Sequence, residues 1–138
     1  MTKTAFTTTW KGSTQPRKQR KYSYNTPLHI KQKSLHVHLS TDLRKKHGLR
    51  NLQVRVGDKV RVLRGQYRKK EGKVDRVSLK KSKVSITGIE YVKKAGAKVQ
   101  VVFNPSNLMI IDLDLGDRKR KQVVERAGKT GKTSTEKK

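Results

Sequence analysis

Between Val54 and Val74 the chain sets two glycines, Gly65 and Gly72, and a knot of cations, Arg64, Arg68, Lys69, Lys70 and Lys73, between two valine-rich stretches. Glycine takes positive φ without cost and lets another molecule approach the main chain, while clustered ammonium and guanidinium groups attract phosphate oxygens. The chemistry open to such a loop, which also holds Tyr67, is the binding of a polyanion. The competing reading is a plain hairpin turn with solvated lysines, since Gly-rich turns are common. If the loop binds, Gly65 and Gly72 are positions where an unusual φ or a close-lying polyanion leaves no room for a β-carbon.

Charge favours binding. The 138 residues hold 36 Lys and Arg against 10 Asp and Glu, a formal charge of +26 with a pI near 10.8. That is well past what solubility asks of a small domain. The basic residues number 12 in each of 1–50, 51–92 and 93–138, against 1, 4 and 5 acidic ones. Such an even spread fits a protein met by nucleic acid on several sides, rather than a neutral domain with one basic arm.

Catalysis finds little support. The carboxylates are scattered, and there is neither a cysteine nucleophile nor a Gly-x-Ser-x-Gly elbow, so no enzyme is expected. Gly128-Lys-Thr and Gly131-Lys-Thr superficially resemble the end of a phosphate-binding loop. They lack its first glycine, the strand before it and the helix after it. His36 and His38 can share one strand face and, with His29 or His47, hold a metal. Without a cysteine or a nearby carboxylate they read as polar surface or RNA contacts, and no cofactor is expected. No run approaches the ~18 apolar residues of a membrane span, and a cytosolic protein is expected.

Three regions must position these groups. Residues 1–50 read as a basic N-terminal extension. Within it Arg17, Lys18, Arg20 and Lys21 lie beside Tyr22 and Tyr24, a mixture that suits phosphates and stacked bases, and the arm is expected to be disordered when free. It ends in a short helix over 40–48: Ser40 or Thr41 caps it, Asp42 sits in the first turn and Gly48 stops it. Leu39, Leu43 and Leu49 anchor the helix while Arg44, Lys45 and Lys46 project outward.

Residues 51–113 read as a mainly β unit. Val60 and Val62 alternate with Lys59 and Arg61, Val84 and Ile86 repeat the pattern, and Val99, Val101 and Phe103 continue it. Leu108 to Ile111 form an apolar run suited to burial on both faces. Val74 is out of phase with Val77 and Leu79, which predicts a bulge or bend after Gly72. Four to five short, curved strands around a small core amount to an SH3-like barrel. Residues 114–138 read as a basic helix, capped by Asp117 and anchored by Val123 and Val124, then a flexible tail from Gly128.

Residues 54–88 resemble a KOW motif, through Gly57, Asp58, Gly65, Glu71, Gly72, Lys73 and Val74. The flanks narrow the resemblance: Arg17–Lys21, Pro27–Ile30, Leu39–Gly48, Asn104–Leu108 and Asp112–Lys121 are similar to the archaeal and eukaryotic ribosomal protein family L twenty-four, called L twenty-six in eukaryotes. It covers about residues 15–126 and implies a protein of the large ribosomal subunit that binds the 5′ region of its rRNA, initiates assembly and sits near the exit of the polypeptide tunnel. It also implies contacts with neighbouring ribosomal proteins and exit-tunnel factors, and no homo-oligomer. By the family's motifs the loop of Gly65, Lys69, Lys70 and Gly72 and a second loop of Asn104, Pro105, Ser106 and Asn107 lie on RNA. Many relatives carry glycine where Lys69 stands and histidine where Asn104 stands, so the turn is expected to be altered and a stacking ring lost.

Two other binding readings compete. A KOW module of a transcription factor follows an α/β domain of about a hundred residues, for which the first 50 are too short and too basic. A chromatin-type protein on duplex DNA fits the charge equally well. Extended arms, interspersed tyrosines and the family flanks favour structured RNA.

Overall fold

The computed structural model describes residues 6–10 and 12–133, with side chains to Arg126. Seven strands form one mixed sheet: β1 (His36–Leu39), β2 (Asn51–Gln53), β3 (Lys59–Val62), β4 (Glu71–Ser78), β5 (Lys83–Val92), β6 (Lys98–Phe103) and β7 (Leu108–Asp112). Their order is β2-β1-β7-β3-β4-β5-β6. All pairs are antiparallel except β1 with β7. The fold is thus barrel-like, as the alternation predicts, yet its hydrogen bonding does not close, and β2 and β6 remain as edges.

The turn of the barrel is made by β4. Glu71, Gly72 and Lys73 pair with β3, Val74 to Ser78 pair with β5, and the register slips between Val74 and Arg76. This is the expected bulge, and it re-aims the strand as one extra residue bends and twists it. Alternation holds on β3, where Val60 and Val62 are buried and Lys59 and Arg61 exposed. On β7 burial is less even than expected: Leu108 and Ile110 lie in the core, while Met109 and Ile111 on the other face are half-buried.

The core starts before residue 51. Leu35, Val37 and Leu39 are fully buried and pack with Val60, Val84, Ile86, Leu108 and Ile110. The span 1–50 is therefore not wholly an extension: β1 is an interior strand between β2 and β7. Burying its apolar face explains why a strand of only four residues is retained. His36 and His38 occupy its exposed face. Among the described residues no group of three His, Cys, Asp or Glu is placed to hold a metal, and no helix is long and apolar enough to cross a membrane.

Among the described residues there are also four α-helices: α1 (Pro16–Asn25), α2 (Leu28–Lys31), α3 (Thr41–His47) and α4 (Arg118–Thr133). Within the N-terminal arm Pro16–Asn25 form a helix, with Pro16 in the first turn, where its fixed φ suits a helix start. No side chain of α1 is buried. Helix α3 forms as expected: Ser40 Oγ accepts from Leu43 N at 3.4 Å, and Gly48 ends it at φ 66. Leu43 and Leu49 pack against the core.

Helix α4 corrects the reading of the C-terminus. Asp117 caps it, accepting from Lys119 N at 2.8 Å, but the helix runs through Gly128 and Gly131 to Thr133. A glycine inside a helix costs only about 1 kcal/mol relative to alanine, too little to force a stop. Residues 134–138, the rest of the tail expected to be flexible, lie outside the described residues. Of the two anchors named, Val124 is buried and Val123 is exposed.

The main anchor of α4 is a charge. Arg120, 3% exposed, donates through both terminal nitrogens to the two oxygens of the fully buried Asp58, at 2.6 and 2.7 Å. Arg120 also donates to Asp114 O at 2.8 Å and Gln53 O at 3.3 Å. Asp58 further accepts from Arg55 N at 2.8 Å and Asp114 N at 3.1 Å. A desolvated ion pair is tolerable only when its remaining hydrogen-bonding capacity is used, and here only Arg120 Nε lacks a partner among the buried side-chain atoms described. The Gly-Asp of the KOW-like motif is therefore structural: a β-carbon on Gly57, at φ 94, would stand 2.7 Å from Asp114 Oδ2.

Candidate nucleic-acid interface

The loop from Leu63 to Lys70 joins β3 to β4 through two overlapping turns, Arg68 N donating to Gly65 O and Lys70 N to Tyr67 O, both at 3.1 Å. At its base Lys69 N donates to Val62 O at 2.8 Å while Val62 N donates to Lys70 O at 2.9 Å. Two residues thus face one, a bulge whose first position is left-handed and usually glycine. Here it is Lys69, at φ 70. The lysine stands in the left-handed conformation usual for glycine at this bulge position and adds a cation.

A second loop stands beside the first. Asn104 leads into a turn over Pro105–Asn107, and Leu63 N donates to Asn107 O at 2.8 Å, stitching the two together. The Tyr67 ring meets Phe103 edge-on at 6.0 Å, and Lys70 Nζ lies 5.3 Å from the centre of the Tyr67 ring. Tyr67 therefore anchors the loop to the barrel. Pro105 is buried, Asn107 half-buried, and Asn104 and Ser106 face outward, Asn104 accepting from Lys83 Nζ at 2.6 Å.

Gly65 and Gly72, paired in the sequence reading, are different. Gly65, exposed at φ 89, has no atom near a built β-carbon and is kept by conformation. Gly72 is not among the positive-φ residues. It lies in β4 opposite Val60, where a β-carbon would come within 2.6 Å of Ile86 Cγ2 and 2.7 Å of Thr87 O. A β-carbon at Gly72 is excluded by the protein's own strand β5.

Electrostatics separates the loop from the sheet beneath it. Arg61 and Lys59 on β3 share Glu71, with Arg61 Nε donating to Glu71 Oε1 at 2.8 Å and Lys59 Nζ 3.5 Å from Oε2. The hydrogen bond from Arg61, aided by the charges of Arg61 and Lys59, holds the Glu71 carboxyl below the usual carboxylate range. None of Arg64, Arg68, Lys69, Lys70 and Lys73 forms an ion pair with a carboxylate among the described residues. Lys59 and Arg61 of β3 thus share one carboxylate, while the loop cations Arg64, Arg68, Lys69 and Lys70, and Lys73 at the start of β4, have none among the described residues.

The remaining predicted contacts are not drawn to these loops by any interaction in the structure. On α1, Arg17, Lys18, Arg20 and Lys21 are exposed, but Tyr22 stacks on Trp10 at 4.5 Å and tilts against Phe6 at 5.0 Å. Tyr22 thus has its ring occupied within the chain; Tyr24, 86% exposed, is the free one. On α3, Lys45 and Lys46 are exposed, while Arg44 turns back to donate from Nε to Leu39 O at 2.8 Å. Lys83 went unread in the sequence. Its alternation with Val84 marks only an outward strand position, and its bridge to Asn104 has no local signal.

A small, open β barrel carrying two stitched loops with unpaired cations defines a basic binding module of the KOW type. The family of eukaryotic L twenty-six and archaeal L twenty-four ribosomal proteins matches residues 13–127. The chain belongs to this family. It is similar to the large ribosomal subunit protein uL24 of Methanosphaera stadtmanae, 43% identical over 114 residues that cover 83% of this chain and 97% of the relative.

Proposed function

We propose that the chain binds large-subunit ribosomal RNA through the paired loops Leu63–Lys70 and Asn104–Asn107, with α1 and α3 adding phosphate contacts. As a member of its family it is a structural constituent of the large ribosomal subunit, and it works in the cytoplasm, in the ribosome. The observation that carries the RNA reading is the set of exposed loop cations, Arg64, Arg68, Lys69 and Lys70, left without carboxylate partners beside Lys59 and Arg61 of β3, which share Glu71. Phosphates supply the missing counter-charge, and counterions released from RNA drive the association. The family resemblance supports the 5′ region of the rRNA as the target, an early role in assembly, a place near the tunnel exit, and neighbouring ribosomal proteins and exit-tunnel factors as further partners.

Affinity for the 5′ domain of large-subunit rRNA, measured across a salt series, tests the reading. The expected result is a steep fall with salt, and a log-log slope reduced by at most about two when Lys69 and Lys70 both become alanine. A nearly salt-independent affinity, or a slope indifferent to both lysines, refutes it.

A further inference from the structure

A cleft of about 900 Å³ lies between the α1–α2 segment and the turn joining β4 to β5. That volume falls within the roughly 300–1,000 Å³ usual for small-ligand sites. Its two walls touch where Ser34 Oγ and Ser82 Oγ approach to 2.9 Å, Ser82 being held at φ 50. Arg20, Lys31, Lys33 and Lys81 line it, and no carboxylate does. The mostly exposed ring of Tyr24 stands at the same cleft.

Cations alone would suit any phosphate surface. A hollow of this size with a free aromatic ring and no acid asks for something flat as well as anionic. Every nucleobase has a face that stacks on a tyrosine, but the bases of a duplex are paired and cannot enter a cleft. We propose that this cleft takes an unpaired nucleotide of RNA, its base on Tyr24 and its flanking phosphates on Arg20, Lys31, Lys33 and Lys81. The proposal rests on the RNA reading above and adds a second, single-strand-selective site to the loop pair. It also gives a role to Lys81, which otherwise reads as a solvated turn residue.

The chain has its own reporter. Trp10 is the sole tryptophan, and it stacks on Tyr22, which also lines the cleft. Titrating the full chain with hexaadenylate while following Trp10 fluorescence gives the affinity for single strands. A blunt RNA duplex of equal phosphate count and the 5′ rRNA domain serve as comparisons. Tyr24→Ala is expected to weaken hexaadenylate by roughly five-fold or more, as loss of one stacked base should, with duplex affinity little changed. Tyr24→Phe keeps the ring and should bind like the parent.

If Tyr24→Ala binds hexaadenylate like the parent while the Lys69/Lys70 double variant still loses affinity for the rRNA domain, the cleft proposal is overturned and the RNA reading stands. An equal loss for single strand and duplex in Tyr24→Ala also overturns it, since the ring then acts on the fold. Failure of the parent to bind any of the three RNAs removes both.

Discussion

Replacing Lys69 by glycine should pull two properties of the Leu63–Lys70 loop in opposite directions. Lys69 sits at φ 70, where an L-residue with a side chain pays about 1–2 kcal/mol that glycine does not. Glycine gives back roughly 0.5–1 kcal/mol because its unfolded chain is freer. The difference leaves Lys69→Gly more stable by about 0.5–1 kcal/mol, or a melting point higher by about 2–4 °C. The same change deletes one unpaired cation, so the salt slope for the 5′ rRNA domain should fall by about 0.9. Lys69→Ala separates the effects: it loses the charge but keeps the β-carbon, so the slope drops equally with no gain in melting point. Thermal unfolding by circular dichroism and affinity over a salt series read the two quantities on the same samples. A glycine variant that melts at or below the parent would refute the strain argument, and an unchanged slope would take Lys69 off the RNA.

Three further outcomes follow from the packing. Arg120→Met should cost about 3–5 kcal/mol in urea unfolding, because it strands the buried Asp58 carboxylate, whereas exchanging the exposed neighbour Lys121 for methionine should cost far less. Gly72→Ala should cost about 1–3 kcal/mol through overpacking against Ile86 and the Thr87 carbonyl, yet leave the salt slope of the folded protein unchanged; a changed slope would return Gly72 to the RNA surface. Partial burial, with Lys46 adjacent, lowers the pKa of His47, so the unfolded chain takes up the proton at higher pH than the folded one. Its contribution is fully present above pH about 6.5 and is lost as pH falls through the lowered value, so His47→Gln should flatten the pH dependence of the melting point there.

What could be read in advance was local. Helix α3 was legible because Ser40, Asp42 and Gly48 each act within a turn of their own position, and β3 because burial alternates residue by residue. Strand β1 carries the same alternation in His36–Leu39, but its partners are β2 and β7, and nothing in four residues announces a parallel neighbour 71 positions away, as for His38 and Met109. Arg120 is hidden in a run of six successive polar or charged residues, Asp117 to Gln122. One signal existed: it precedes the buried Val124 by one helical turn and so shares its face. At Gly72 the sequence shows that a β-carbon is absent, not that Ile86 and Thr87 of β5 are the neighbours that exclude it. At the loop, charge type and spacing mark the candidate cations directly, while the sharing of Glu71 by Lys59 and Arg61 depends on the β3–β4 register that sets Arg61 opposite Glu71.

The Asp58–Arg120 pair also imposes an order in time. Its members are 62 positions apart, and at roughly 5–20 residues per second a ribosome needs about 3–12 s to make that stretch. Until then the carboxylate that the barrel will bury has no guanidinium, and β1 has β2 on one side but waits 71 positions, from His38 to Met109, for the parallel strand on its other side. Burying Asp58 alone would cost several kcal/mol, so the nascent chain gains little by closing early. The pair thus ties completion of the barrel to the C-terminal helix, and a chain interrupted before residue 120 is expected to be less stable than the full chain by the cost of leaving Asp58 unpaired.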